Sequence, residues 1–304
     1  MKKTILDLSI VISTFNTKGL LKKTLLSIYK TFKDITFEII IVDDASKDGS
    51  ADMVKKYFPK VRLITNANNL GYSKSYNLGT KISDGKYILH LNSDVQFISK
   101  SSFNKIISFM KSNPDVGITG CKILKSNGGL DLPCKRSFPT PTNIFFQTIG
   151  LAKMFPKNKY FGNYYLTYLD DNKTTEVDCI MGAFMLIKRD LFKEIGYLDE
   201  IFFIYGEDID FCYRAKNAGW KIVYFPKIKI KHLHGGTTNK FRLRYIWHFH
   251  YSMFQYYNKH FLKKNRFPLH IMVYAGITLR LVLVSLVNLP SLNSIIYIKN
   301  RINI

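Results

Sequence analysis

Two polar clusters in this 304-residue chain, one with a single carboxylate and one with three, stand where chemistry on a charged, oxygen-rich substrate would need them. The first is Asn92-Ser93-Asp94, at the end of the apolar run Tyr87 to Leu91. An acid on the lip of a strand can hold a divalent cation against a diphosphate, and the cation neutralises the charge that develops as the diphosphate departs. A spacing of two puts Asn92 and Asp94 on one face of an extended segment. Taken alone, Asn-x-Asp also describes a solvated turn. The second cluster is Tyr205-Gly206-Glu207-Asp208-Ile209-Asp210-Phe211, which opens a helical pattern continuing through Arg214. Acids stabilise a helix N-terminus through its dipole, which accounts well for one carboxylate and poorly for three. A carboxylate held beside an acceptor hydroxyl can take its proton as the oxygen attacks, so one of the three is expected to have that task.

Two further polar groups follow apolar runs. Ser13-Thr14-Phe15-Asn16 offers a hydroxyl and a flat ring to a nucleotide base. Asp43-Asp44-Ala45-Ser46-Lys47-Asp48-Gly49-Ser50 offers carboxylates to a base or ribose, although a turn with Ser46 or Asp48 capping the next helix explains most of the same residues. Asp44 is not needed by such a cap. His232 and His234 end a strand pattern on one face, where an i, i+2 pair can share a metal, but separate surface histidines are commoner. His248 and His250 fall in a helical pattern in which i and i+2 do not face one another, which makes them structural or interfacial. Cys121, Cys134, Cys179 and Cys212 show no short spacing, so neither a zinc knuckle nor a disulfide framework is signalled, and a reducing cytoplasm fits best.

These groups need a scaffold that brings strand ends together. Leu8 to Ile12, Phe37 to Val42, Val61 to Thr65, Tyr87 to Leu91 and Gly117 to Gly120 read as strands. Leu20 to Thr31, Ser50 to Tyr57, Ser73 to Ile82 and Ser101 to Lys111 read as helices between them, the alternation of βαβ units in a mainly parallel sheet. Ligands bind outside the carboxyl ends of such strands, where the polar clusters fall. Residues 121–178 lose this rhythm, with Gly128-Gly129, three prolines between 133 and 141 and many aromatics, as expected of a loop-rich cover over a site. A buried segment (Cys179 to Ile187), helices at Asp190 to Ile195 and Ile209 to Ala218, and a strand pair near Lys221 to Tyr224 and Ile228 to His232 complete the pattern. Met1-Lys2-Lys3 and the following apolar residues read as the lead-in to a strand, since Asp7 interrupts the run and no small-residue cleavage site follows.

The charge is unevenly placed. Against 22 Asp+Glu stand 45 Lys+Arg, a formal net charge of +23, and no acid follows Asp210 although 16 of the cations do. An anionic partner is implied. Residues 240–266 interleave cations with aromatics, which suits an anionic membrane surface better than nucleic acid, because no base-reading module is present. His270 to Leu289 is long enough to span a bilayer, yet Arg280 near its middle would cost about 2.5 to 3.5 kcal/mol, so interfacial embedding is expected over a span. Packing of these helices against the rest of the chain or a second subunit is the plainer alternative. The expected division is 1–239, catalytic, and 240–304, a basic helical region.

Six segments carry a resemblance: SIVISTFN (9–16), FEIIIVDDASKDGS (37–50), NNLGYSKSYNLG (68–79), HLNSDV (90–95), MGAFMLIKRDLFKEIGYLDE (181–200) and FFIYGEDIDFCYRAKNAGW (202–220). In this order the chain resembles family 2 glycosyltransferases, with the MGAF and GEDIDF segments most like the rhamnosyltransferase-type branch. The resemblance implies an α/β GT-A nucleotide-diphospho-sugar transferase fold and an inverting single displacement. It implies a donor bound among Ser13, Phe15, Asn16, Asp43, Asp44, Gly71, Lys74, Asn92 and Ser93. A divalent cation (Mg2+ or Mn2+) would be held by Asp94, with His232 as a second ligand; Asp208 would be the base and Glu207 its neighbour at the acceptor. The implied donor is a UDP- or dTDP-sugar, and the acceptor a saccharide or lipid-linked glycan of the envelope. The expected place is the cytoplasmic side of the inner membrane, peripherally attached. The family's D-x-D reads Asn92-Ser93-Asp94 here, where the amide oxygen of Asn92 replaces a carboxylate. The Q-x-x-R-W signature of processive synthases is absent, so one sugar per encounter is expected. The rival reading is a membrane-tethered nucleotide-sugar-binding protein without transferase activity.

Overall fold

The computed structural model describes residues 6–98, 103–233, 242–264 and 266–289, in two units, Met1–Thr237 and Thr238–Ile304. The first is built on β1 (Leu8–Thr14), β2 (Phe37–Asp43), β3 (Arg62–Thr65), β4 (Tyr87–Leu91), β5 (Val95–Phe97), β6 (Val116–Leu124), β7 (Thr175–Val177), β8 (Phe184–Lys188) and β9 (Lys221–His232). They form one mixed sheet in the order β3-β2-β1-β4-β8-β6-β9-β5, with β7 beside β9. Its first four strands are parallel, β8 runs antiparallel to both neighbours, and β6 and β9 are parallel again. Ile10, Val11 and Ile12 of β1 are wholly buried, because both faces of this half are covered. Burial of each such side chain contributes about 1.5 to 3 kcal/mol.

The helices of this unit are α1 (Lys18–Thr31), α2 (Ser50–Tyr57), α3 (Tyr72–Lys81), α4 (Asn104–Ser112), α5 (Pro141–Thr148), α6 (Leu151–Met154), α7 (Arg189–Ile195) and α8 (Glu207–Asn217). α3 lies against β1 and β2 at close range. A Cβ on Gly79 would stand 2.4 Å from a Val11 methyl, so only glycine fits.

Several elements differ from the sequence pattern. The expected strand pair at 221–232 is one strand, β9, which takes up Pro226 at a register shift: Cys121 pairs Phe225 and Lys122 pairs Lys229. Proline has no N–H for the ladder, and the irregularity removes the need for one. The 121–178 region contains the end of β6, a 3-10 turn at Leu132–Cys134, α5, α6 and β7, all too short to show a period. Thr140 caps α5 by accepting the Asn143 N–H at 3.2 Å, with Pro141 in the first turn. α8 begins two residues earlier than its apolar periodicity suggests, at Glu207. Ser101, at the expected start of α4, lies outside the described residues.

The second unit holds α9 (Arg242–His260) and α10 (Phe267–Val287), which pack together. Tyr257 Oη and His270 Nδ1 are 2.9 Å apart, and the Tyr274 hydroxyl donates to Asn258 Oδ1 at 2.6 Å. The Arg280 guanidinium lies 5.2 Å over the Phe249 ring and 3.1 Å from His250 Nε2, and the second ring nitrogen of His250 is 2.7 Å from the Ile246 carbonyl. α10 is long and apolar enough to cross a membrane, and of its described side chains only Ile277 is buried. The expected boundary at 239/240 and His234 both lie outside the described residues.

Candidate functional site

β4 ends at Leu91, and Asn92, Ser93 and Asp94 form the turn into β5 in place of the extended segment expected. The turn still brings Asn92 and Asp94 to a common neighbour. β5 pairs antiparallel with the end of β9, setting Val95 opposite His232. Asp94 Oδ1 therefore lies 3.1 Å from His232 Nε2, and Asn92 Nδ2 lies 3.4 Å from the same nitrogen. Behind the ring, Asp131 Oδ2 is 3.6 Å from His232 Nδ1. Burial opposes charge on this imidazole, but the Asp131 and Asp94 carboxylates outweigh it and raise its pKa to about 9.

Among the described residues no three His, Cys, Asp or Glu side chains converge as a ready metal cage. Asp94 and His232 could supply two ligands, His232 once a cation displaces its ring proton; the Asn92 amide stands with its nitrogen toward the ring and its Oδ1 accepting from Tyr72. That donor set fits a hard cation that completes its shell from substrate phosphates and water, as Mg2+ commonly does. Asp131 fits the outer position, orienting His232 through its second nitrogen.

The acids of α8 divide three ways. Gly206 (φ 86°) and Tyr205 (φ 68°) turn the chain into the helix in left-handed conformations. Asp210 is wholly buried and accepts from Arg214 Nε at 2.9 Å, one turn on. Asp208 Oδ2 accepts the Gly182 N–H at 3.0 Å and pairs with the buried Arg136 guanidinium at 2.5 Å. Glu207 is 6% exposed, and its Oε2 has no hydrogen-bond partner. Burial and the adjacent Asp208 carboxylate push the Glu207 carboxyl up to about 8. At neutral pH it is therefore mainly a neutral acid, able to donate a hydrogen bond.

This shift makes a stability prediction. Between an unfolded value near 4.5 and a folded value of about 8, the folded chain keeps a proton that the unfolded chain has released. Stability therefore falls as pH rises through that window, by up to about 1.4 kcal/mol per unit. Glu207→Gln is expected to lose this dependence, so urea midpoints at about pH 5 and about pH 8 should differ less than in the wild type. Parallel pH profiles for the two proteins would refute the shift.

The residues expected on the nucleotide side are spread over neighbouring lips. Asp44 is buried and already occupied: its Oδ1 accepts from Asn66 Nδ2 (2.9 Å) and Leu70 N (2.8 Å), its Oδ2 from Gly71 N (2.9 Å). It shapes the 66–71 loop. A Cβ on Gly71 (φ 86°) would stand 2.6 Å from the Phe203 carbonyl, so this glycine joins that loop to the approach of α8. Asp43 is buried too; its Oδ1 accepts Ser46 N at 2.8 Å and its Oδ2 is left without a partner. Asn16 zips the first two lips, accepting Lys47 N at 2.7 Å and donating its own N–H to Ser46 Oγ at 2.9 Å. Ser93 accepts from Thr17 Oγ1 at 2.9 Å, which ties the metal lip to the start of α1. Ser13 is the last residue but one of β1, Phe15 is half-buried just after the strand, and Lys74 is exposed on the first turn of α3.

Tyr72, Gly182, Arg136 and Asp131 were not among the candidates. Tyr72 and Gly182 stand inside recognisable segments, NNLGYSKSYNLG and MGAF, so a signal existed. Arg136 and Asp131 lie in the stretch without periodicity, where sequence gives no register.

With this geometry in view, the comparisons with known proteins are direct. The family described as "Glycosyl transferase family 2" matches residues 9–196. The chain is 26% identical over 213 residues to the N-acetylglucosaminyl-diphospho-decaprenol L-rhamnosyltransferase of Mycobacterium tuberculosis, covering 66% of this chain and 68% of the relative. It is 28% identical to the low-salt glycan biosynthesis hexosyltransferase Agl10 of Haloferax volcanii, covering 71% and 64%. The crystal structure of GalNAc-T7 with UDP, GalNAc and Mn2+ superposes with a TM-score of 0.56 at 17% identity, over 77% of this chain and 45% of that one. The chain thus spans about two thirds of the curated relatives and under half of the solved structure.

Proposed function

Because the chain belongs to glycosyl transferase family 2 and has the GT-A fold, we propose that it moves a single sugar from a UDP- or dTDP-sugar to a hydroxyl of a saccharide or lipid-linked acceptor, with inversion. One observation carries this reading. The Tyr72 hydroxyl lies 2.9 Å from both Asn92 Oδ1 and the Gly182 carbonyl, and the Gly182 N–H donates to Asp208. A short hydrogen-bonded chain thus links the metal lip to the helix-start carboxylate.

The roles follow from chemistry. Uracil and thymine share an imide N–H, and Asp43 Oδ2, buried without a partner at the end of β2, would accept it once the lip opens to admit the base. Asp94 and His232, with Asn92, would hold Mg2+ or Mn2+, which when bound neutralises the diphosphate leaving group. Asp208 takes the proton of the acceptor hydroxyl as its oxygen forms a bond to the anomeric carbon, while the bond from that carbon to the diphosphate breaks and its electron pair stays on the phosphate oxygen. Neutral Glu207 donates to an acceptor oxygen. Attack from the side away from the diphosphate inverts the anomeric centre, which the anomeric proton coupling of the product, read by NMR, tests: retention of the donor's configuration would overturn the single displacement.

The name of the mycobacterial relative, which specifies a diphospho-decaprenol, supports a lipid-linked acceptor here. The acid-free α9 and α10 support peripheral attachment to the cytoplasmic face of the inner membrane. Truncation after Thr237 is expected to release the protein from membranes while donor binding persists, since the donor residues all precede it. High salt should release the full chain only partly, because screening acts on charge and not on buried apolar area. A truncated protein that still binds donor yet attaches to membranes as strongly as the full chain would show that this tail is not the anchor.

A further inference from the structure

The first unit carries a surface of membrane character of its own. Residues 141–169 contain no acid and three cations, Lys153, Lys157 and Lys159, all exposed. Within them Phe145, Ile149, Met154, Phe155 and Tyr160 are exposed, Met154 at 68% and Tyr160 at 79%, with exposed Lys153, Lys157 and Lys159 interspersed. So many exposed apolar side chains within sixteen residues of a folded insert mark a contact surface.

The insert is tied together and tied to the site. The Phe161 ring meets Phe146 edge-on at 5.0 Å and Phe155 at 5.7 Å, so the outer aromatics stand on an inner one. Ser137 N donates to the Tyr164 carbonyl at 2.9 Å, and Asn143 Nδ2 donates to Ser137 Oγ at 3.0 Å. The Lys135 ammonium is buried, donating to the Leu166 carbonyl at 2.9 Å and pairing with Asp171 at 3.0 Å. The next residue, Arg136, is the partner of Asp208. The same segment thus displays an apolar, lysine-studded surface outward and grips the proposed base inward.

We propose that this α5–α6 surface docks on the anionic bilayer, seating its aromatic and Met side chains among the headgroups so that a membrane-held acceptor meets Asp208. Charge points to the occupant: exposed Lys153, Lys157 and Lys159 stand among exposed apolar residues in a stretch, 141–169, that carries no acid, and this complements anionic lipid headgroups. The acceptor clause rests on the function proposed above; the docking itself does not.

The test uses the full chain. All four native cysteines are buried, so Met154→Cys can be labelled selectively with an environment-sensitive fluorophore, with Lys55→Cys on α2 as control. On vesicles of phosphatidylethanolamine and phosphatidylglycerol, the label at 154 is expected to shift to the blue, and the control label is not. A label at 154 that stays in water while the protein co-sediments with these vesicles overturns the proposal, as does an equal shift at both positions. The triple change Phe145→Ser, Phe155→Ser, Tyr160→Ser should lower transfer to a vesicle-embedded acceptor at least about tenfold and leave transfer to a short water-soluble acceptor unchanged. Equal loss on both acceptors would mean that these side chains serve the fold, against the proposal. A blue-shifted label in a chain that transfers to neither acceptor would uphold the docking and refute the function.

Discussion

Asp208→Asn is expected to fold, to bind donor and cation as the wild type does, and to lose at least about a hundredfold in turnover, the lower end of a general base's contribution. Asparagine keeps the shape and can still accept the Gly182 N–H, but it cannot take a proton. It also leaves the buried Arg136 without its counter-charge. Removing one partner of a buried pair costs about 3 to 5 kcal/mol, so the fold must be checked by circular dichroism and donor affinity before turnover is read. Glu207→Gln should do less harm, because a carboxyl held near 8 is mainly protonated at neutral pH and a glutamine amide still donates. Near-normal turnover in Asp208→Asn with crippled turnover in Glu207→Gln would reverse the two assignments. Normal turnover in both would remove the start of α8 from the mechanism.

Asp94→Ala is expected to reduce transfer at least about a thousandfold, the several kcal/mol that a cation contributes at a departing diphosphate. It should also abolish the gain in donor affinity that Mg2+ or Mn2+ gives, a binding readout independent of turnover. Asn92→Asp is expected to be tolerated and to tighten the cation, since it adds an anionic oxygen beside Asp94 and His232. Undiminished turnover in excess chelator would contradict the cation's role, and a folded but inactive Asn92→Asp protein would give position 92 another task.

The parallel half of the sheet could be read from the sequence because both of its faces are buried, which leaves unbroken apolar runs at Leu8 to Ile12 and Phe37 to Val42. The pairing of Asp94 with His232 came only through the family resemblance, because local pattern cannot show that β5, three residues long, finds register against β9 across more than a hundred positions. Arg136 was hidden for a similar reason: local periodicity carries no information about which distant carboxylate a single arginine meets. Asp44 shows something else that the sequence did not display: three protein donors meet its carboxylate, so it organises the 66–71 loop. The free oxygen at that lip belongs to Asp43.

The central claim is that the metal lip and Asp208 perform transfer and do not merely bind a nucleotide sugar. A screen of UDP- and dTDP-sugars with Mn2+ or Mg2+ and a lipid-linked acceptor, reading nucleotide release and product mass together, tests it most directly. Release of nucleoside diphosphate matched by a product heavier by one sugar is the expected result. Tight donor binding across the screen, with neither nucleotide release nor a heavier product, would contradict it and leave a membrane-tethered nucleotide-sugar-binding protein.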